Sequence, residues 1–261
     1  MQKIKRKFKN ESKLLNLVSK KPKSELLQKK QPNSKIRQDD SYRKIVYPAV
    51  LFNNVPEIVI QRLPIYIRIL SKIQKQGEPK ISSKILGELS GISPGIIRKD
   101  LNYFGRFGKQ GSGYQVKELK ETLKTILGLD GTWNVAVIGL GKLGNAIASY
   151  PGFEKAGFRI VALFDTNKTL HGKKIGRITI QSLNELKRSV KTRNIKIAII
   201  STPSNQSQNV VNKLVDSGIK CILNYTQSSL KVPKEIIMKP VDPISTLQSM
   251  AFYLKNDHLN K

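Results

Sequence analysis

The stretch Trp133-Asn-Val-Ala-Val-Ile-Gly-Leu-Gly-Lys-Leu-Gly144 decides the fold. Its first six residues are an apolar-rich run of strand length. Glycines at 139, 141 and 144 follow without a gap, and Ala146, Ile147 and Ala148 open a helical pattern. The triplet alone is a weak signal. Between a strand and a helix its glycines allow a tight turn, close approach of the backbone to a pyrophosphate, and packing of helix on strand. The helix N-terminus then offers free N–H groups and the positive end of a dipole to the phosphates. A second strand, Arg159 to Phe164, ends at Asp165, twenty-one residues past Gly144. From there a carboxylate accepts hydrogen bonds from the adenine ribose hydroxyls and opposes a 2′-phosphate. Gly139, Leu140, Gly141, Lys142, Leu143, Gly144 and Asp165 therefore read as a site for NAD(H) rather than NADP(H).

Downstream the alternation continues. A short strand ends near Ile180, and Ser182 to Val190 reads as a helix. Lys196 to Ile200 reads as a strand closed by Thr202-Pro203, and Asn205 to Asp216 as a helix. Lys220 to Leu223 is a strand ending at Asn224, and Val232 to Lys239 a last extended piece. Strands separated by helices predict a parallel sheet with its ligand at the strand C-terminal ends. Gly139, Asp165, Thr202, Pro203 and Asn224 would then share one rim. Ile244 to Leu254 is a terminal helix with Leu247, Met250, Ala251 and Leu254 apolar. That face must pack within its own subunit or into a partner.

Upstream, Ile60, Leu63, Tyr66, Ile67, Leu70 and Ile73 recur at helical spacing, with Pro64 inside the pattern implying a short lead-in helix or a kink. Ser82 and Ser83 offer an N-cap for a short helix, Lys84 to Ser90, ended by Gly91. Ser93 caps a third helix with Pro94 at its first position. Glycines at 105, 108, 111 and 113, interleaved with Phe107 and Tyr114, predict a hairpin or wing, and a helix from Lys117 to about Leu127 follows. This is the order of a winged helix-turn-helix. Its third helix carries Arg98 and Lys99, with Arg106 and Lys109 in the wing. Such a face fits the major groove, Arg meeting guanine and Lys meeting phosphate. Arg68 on the first helix could reach a flanking phosphate or form a surface ion pair.

The charge agrees with a polyanionic partner. The 261 residues hold 47 Lys+Arg against 18 Asp+Glu, a net charge of +29. Residues 1–55 alone hold 15 basic against four acidic side chains and lack a lasting apolar period. They read as a mostly disordered tail, either merely solvated or a basic arm adding non-specific DNA affinity; Lys over Arg and the presence of acids argue against a transit peptide. No apolar run is long enough to span a membrane, and no apolar segment follows the basic N-terminus as in a signal peptide. A single cysteine, Cys221, excludes an intrachain disulfide and a thiolate zinc site. Of two histidines, His171 falls on the adenine side and His258 in a polar tail. No catalytic residue and no metal site is expected. With nothing left for a substrate domain, a cytoplasmic sensor is the expected class rather than an enzyme. The boundaries read as tail 1–55, winged helix 56–128, Rossmann domain 129–240, and terminal helix and tail 241–261.

From about Glu57 to Leu254 the chain resembles the Rex redox-sensing transcriptional repressors. The resemblance is carried by Ile97-Arg-Lys-Asp-Leu-Asn-Tyr-Phe-Gly-Arg-Phe-Gly-Lys-Gln-Gly-Ser-Gly-Tyr114, by Gly139 to Gly144, and by Tyr150-Pro-Gly-Phe153, Ile222-Leu-Asn224 and Val241-Asp242. It implies a homodimer on double-stranded operator DNA, with the C-terminal helix exchanged between subunits. It also implies that NADH lowers operator affinity while NAD+ competes without releasing DNA. Arg98, Lys99 and Arg68 match its DNA-binding positions, with Ser93 capping the recognition helix. Tyr150 and Asp242 match positions that look toward the nicotinamide, and Lys142 occupies a position near them that is basic or Asn in the family. The chain departs from the family at Gln110, where the wing usually has arginine, at Ile96, usually glutamine, and at Pro243, usually a large apolar residue. Two other classes stay open: a small NAD-dependent oxidoreductase, and a regulator binding CoA or another nucleotide.

Overall fold

The computed structural model describes residues 55–107, 112–226 and 228–257. Residues 1–54, Gly108, Lys109, Gln110, Gly111 and His258 lie outside the described residues. The first domain comprises α1 (Glu57–Lys75), β1 (Lys80–Ile81), α2 (Ser83–Ser90), α3 (Pro94–Asn102), β2 (Tyr114–Gln115) and α4 (Val116–Ile126). Both expected caps form. Ser82 Oγ accepts from the Ile85 N–H at 3.1 Å, and Ser93 Oγ from that of Ile96 at 3.4 Å, with Pro94 in the first turn. Helix α1 runs through Pro64 as one element, without a separate lead-in. It buries Val59, Leu63, Tyr66 and Leu70 against Ile97 and Leu101 of α3 and Leu119 and Leu123 of α4.

Residues 108–111, the middle of the expected hairpin or wing, lie outside the described residues, and the chain is described again from Ser112. Tyr114 and Gln115 pair with Ile81 and Lys80, antiparallel, so the strand partner lies two helices upstream. A glycine-rich stretch signals a turn but not which strand the chain meets after it.

One buried ionic contact fixes α3. Asp100 is 1% exposed. Its carboxylate accepts Arg62 Nε at 2.7 Å and Arg62 Nη2 at 2.6 Å, and the Tyr66 hydroxyl at 2.6 Å. The fork-shaped guanidinium and the phenol together satisfy a charge that would otherwise be costly in the core. Arg62 and Tyr66 both belong to α1, so the recognition helix is held against the first helix at a set rotation.

The second domain is a seven-stranded sheet. Its strands are β3 (Trp133–Ile138), β4 (Phe158–Asp165), β5 (Lys174–Ile175), β6 (Ile178–Ser182), β7 (Ile197–Ile200), β8 (Cys221–Asn224) and β9 (Ile237–Pro240). The order is β5-β6-β4-β3-β7-β8-β9, parallel throughout except for the β5–β6 pair. Without β5 this is the doubly wound dinucleotide order, with its switch point between β3 and β7. Helices α5 (Lys142–Ser149) and α6 (Gly152–Lys155) follow β3, α7 (Leu186–Thr192) follows β6, and α8 (Ser204–Asp216) follows β7. Ala136, Ile138, Phe164, Ala198 and Ile200 pack on one face with Leu186, Val190, Val211 and Leu214. Val135, Val137, Leu163 and Ile199 pack on the other with Ile147.

Three sequence expectations are corrected. The antiparallel edge strand β5 was not foreseen, because two residues carry no readable period. The segment 182–190 is not one helix: Ser182 closes β6 and caps a 3-10 turn, Leu183–Glu185, before α7 begins. The last extended piece narrows to Ile237–Pro240.

The terminal helix α9 (Pro243–Asp257) resolves one open choice. Every side chain from Pro243 to Lys255 is exposed, Leu247 and Phe252 at 62% and 64% and Leu254 at 70%, so its apolar residues are not covered by their own subunit. Elsewhere the sheet leaves a cavity of about 230 Å³ between Phe153, Phe158, Ile197, Ile199, Leu223 and Ile237. Half-buried Cys221 also lines it, its thiol pushed up by desolvation. No helix among the described residues is long and apolar enough to cross a membrane.

Burial, followed by the hydrogen bond and charge of Asp100, raises the Tyr66 phenol well above its usual value. An unfolded tyrosine loses its proton near pH 10 while the folded one keeps it, so the folded state binds more protons above that pH. Stability from this contact is present below about pH 10 and falls as pH rises further. Urea unfolding between pH 8 and 11 is expected to show that decline, and Tyr66→Phe to show a shallower one.

Candidate nucleotide site and DNA interface

The glycine loop does what its spacing implies. Gly139 ends β3 at φ +87°, where a Cβ would stand 2.8 Å from the Ser201 carbonyl oxygen. At Gly144 a Cβ would stand 1.8 Å from the Gly139 carbonyl oxygen, so α5 reaches its position only without a side chain there. Gly141, the residue before α5, has open space beside it, with nothing within 4 Å of an added Cβ. No side chain caps α5, and Lys142 and Leu143 are exposed in its first turn. Bare helix-terminal N–H groups beside open space suit a diphosphate.

Asp165 is buried and already engaged. Its Oδ2 accepts from the Leu140 N–H at 2.6 Å and its Oδ1 from the Asn167 N–H at 2.7 Å. The carboxylate thus ties the end of β4 to the glycine loop, and each oxygen keeps acceptor capacity for a ribose hydroxyl. His171 Nε2 lies 2.9 Å from the Asp165 carbonyl oxygen, which ties the loop back on itself.

Across the switch point, Thr202 is buried with its hydroxyl 3.2 Å from Ser207 Oγ, and Pro203 leads into α8. Asn224 closes β8, and its Oδ1 accepts from the Thr226 N–H at 2.8 Å and the Thr226 hydroxyl at 2.7 Å. Gly139, Leu140, Gly141, Lys142, Leu143, Gly144, Asp165, Thr202, Pro203 and Asn224 therefore gather at the C-terminal ends of the strands. Sequence reasoning missed three residues of this rim. Ser201 Oγ donates to the Gly139 carbonyl at 2.8 Å, and Thr166 Oγ1 donates to Gln206 Oε1 at 3.2 Å across the cleft. Position next to a strand end could have suggested Ser201 and Thr166; nothing local marks Gln206.

Two expected residues stand apart. Tyr150 caps the far end of α5, about 12 Å of helix from Gly141, and is 62% exposed with its ring edge-on to Phe153. Asp242 caps α9, its Oδ1 accepting from the Ile244 and Ser245 N–H groups at 3.0 and 3.2 Å. Val241 donates to the Asn224 carbonyl at 2.7 Å, which holds Asp242 beside the rim. Among the described residues no hydrogen bond or ion pair joins Tyr150, Lys142 and Asp242.

On the first domain Arg98, Lys99, Arg68 and Arg106 are all exposed. Arg98 Nη1 donates to Ser83 Oγ at 3.0 Å, which holds the guanidinium over the start of α2. Arg68 forms no ion pair with a described residue. The Ser93 hydroxyl is taken by its cap. Asp100 and Arg62, not foreseen as functional, set the rotation at which this face is presented.

Comparisons with known proteins agree with the two halves. A family model described as a DNA-binding protein N-terminus matches residues 54–102, and one described as a CoA binding domain matches residues 130–228. The redox-sensing transcriptional repressor Rex of Chloroflexus aurantiacus is 45% identical over 202 residues, 77% of this chain and 95% of that one. The Roseiflexus protein of the same name is 43% identical, over 77% of this chain and 92% of its own. The crystal structure of RSP in complex with beta-NAD+ and operator DNA matches at TM-score 0.75 and 40% identity, covering 78% of this chain and 94% of that one. RSP in complex with beta-NADH matches at TM-score 0.72 and 38% identity, covering 79% and 97%.

Two glycines three residues apart should behave oppositely. Gly144→Ala forces backbone atoms apart and is expected to cost more than about 4 kcal/mol of stability. Gly141→Ala points into open space and should change it by less than about 0.5 kcal/mol. Urea denaturation of both variants checks this.

Proposed function

The chain belongs to the Rex family of redox-sensing transcriptional repressors, and on that premise we propose how its own residues read DNA and the NADH/NAD+ ratio. It is a DNA-binding regulator and not an enzyme. In this reading it works in the cytoplasm as a homodimer. The observation that carries the nucleotide half is the bare, open N-terminus of α5 beside Gly141, facing an acidic residue at the end of β4. The N–H groups of α5 hold the diphosphate, and Asp165 accepts from the adenine ribose while disfavouring a 2′-phosphate. CoA carries a phosphate on that ribose, so the same carboxylate opposes it.

Arg98 and Lys99 enter the major groove, with Arg68, Arg106 and Lys109 on flanking phosphates. The exposed apolar residues of α9 pack on the second subunit. This couples the two recognition helices, whose half-sites must lie about one DNA turn apart.

The redox signal is electrostatic. The bound nicotinamide supplies one positive charge when oxidised and none when reduced. Asp242 at the head of α9 favours the cation, and when the charge is gone its carboxylate changes partners, with Tyr150 and Lys142 as the candidates. Among the described residues no hydrogen bond or ion pair joins Tyr150 and Asp242, and in this reading they meet in the dimer. Release about 100-fold tighter-coupled to NADH than to NAD+ corresponds to roughly 2.7 kcal/mol, which one charge contact can supply.

The test is an operator-binding titration at fixed NAD+ with rising NADH, alongside calorimetry with NADH, NADPH and CoA. The unmutated protein should be released by NADH and bind NADPH and CoA more weakly. Asp165→Ala should weaken NADH binding and narrow its margin over NADPH, and equal binding of NADPH and NADH by the unmutated protein would remove the role of Asp165. Asp242→Asn keeps an N-cap and removes the charge. It should bind operator normally and respond far less to NADH; release at the unmutated ratio places the sensor elsewhere.

A further inference from the structure

The exposed side of α3 is not uniformly cationic. Ile97, Asp100 and Leu101 are buried, which leaves Gly95, Ile96, Arg98, Lys99, Asn102 and Tyr103 facing outward. Ile96 is 43% exposed in the first turn, and at helical spacing it shares an edge with Lys99 and Tyr103. Gly95 lies nearer the middle of this side, and an added Cβ would meet only Arg98 Nη2, at 3.9 Å. A glycine in a helix weakens it by about 1 kcal/mol relative to alanine. Neither packing nor backbone geometry requires one at position 95, which is not among the positive-φ glycines. The first turn of a recognition helix is where base edges are met.

We infer that Gly95 and Ile96 form a specificity element for operator DNA. Gly95 lets the backbone of α3 approach the base edges closely, and Ile96 contacts the C5-methyl of a thymine next to the base read by Arg98. The chemistry is selective because, of the four bases, only thymine carries that methyl in the major groove. A branched aliphatic side chain gains by covering a methyl and has nothing to offer a hydrogen-bonding edge. The inference rests on the DNA reading above, and the experiment separates the two.

The full chain is used to select its operator from a random duplex library. Each dT of the selected site is then replaced singly by dU, which removes the methyl and keeps base pairing. A single dU is expected to weaken binding by the unmutated protein about threefold to fivefold, the worth of one buried methyl. The same change should leave Ile96→Ala unaffected. Ile96→Gln should move the preferred base at that position from thymine to adenine. Gly95→Ala should raise the unfolding temperature yet weaken operator binding at least tenfold. If no dU distinguishes the unmutated protein from Ile96→Ala, the thymine contact is overturned. If no site is selected above non-specific binding, the DNA reading itself falls and takes this inference with it.

Discussion

The nucleotide half of the molecule depends on one close approach, that of Gly144 in α5 to the carbonyl of Gly139 at the end of β3. With an added Cβ 1.8 Å from that oxygen, the helix can start where it does only if position 144 has no side chain. The turn leaves the first N–H groups of α5 without a side-chain cap, with open space beside Gly141. Asp165 completes the arrangement by accepting the Leu140 N–H, so the second strand is fastened to the loop of the first. The carboxylate proposed above to meet a ribose is therefore also a structural tie, and its removal acts on the loop as well.

The DNA-binding half has its counterpart in the contact of Asp100 with Arg62 and Tyr66. Asp100 is buried and Arg62 partly so, and removing Arg62 would leave the carboxylate with a desolvation cost that only the Tyr66 hydroxyl offsets. The value of the contact lies in direction. Asp100 sits among the buried residues of α3 while Arg98 and Lys99 point outward, so anchoring one carboxylate to α1 fixes the rotation of the cations. The exposed pairs, such as Arg159 with Glu154 at 3.7 Å, contribute little by comparison.

Charge and shape have separate tasks in this chain. The excess of cations attracts any polyanion and does not choose among sequences. In the function proposed above, choice falls to the few residues that face outward from α3, and control to α9. That helix leaves Leu247, Met250, Phe252 and Leu254 exposed in a single subunit. Asp242, which caps it, is tethered through Val241 to Asn224 on the nucleotide rim. The head of the helix is thus tied to the end of β8, while its body is exposed.

The sequence by itself determined the strands flanking the glycine loop, the caps at Ser82 and Ser93, the rim residues from Gly139 to Asn224, and the outward cations of α3. All of these are written in short-range signals: periodicity, glycine where the backbone must turn or be approached, and hydroxyls placed before helices. The tertiary structure alone decided that β2 pairs with β1 across two helices, that β5 folds back antiparallel at the sheet edge, and that Thr166 meets Gln206. It alone showed that Asp100 is a buried anchor rather than one more charge on a basic helix, and that among the described residues no hydrogen bond or ion pair joins Tyr150 to Asp242. Each of these depends on where distant parts of the chain return to one another. No local period records that, because it is set by the packing of whole elements.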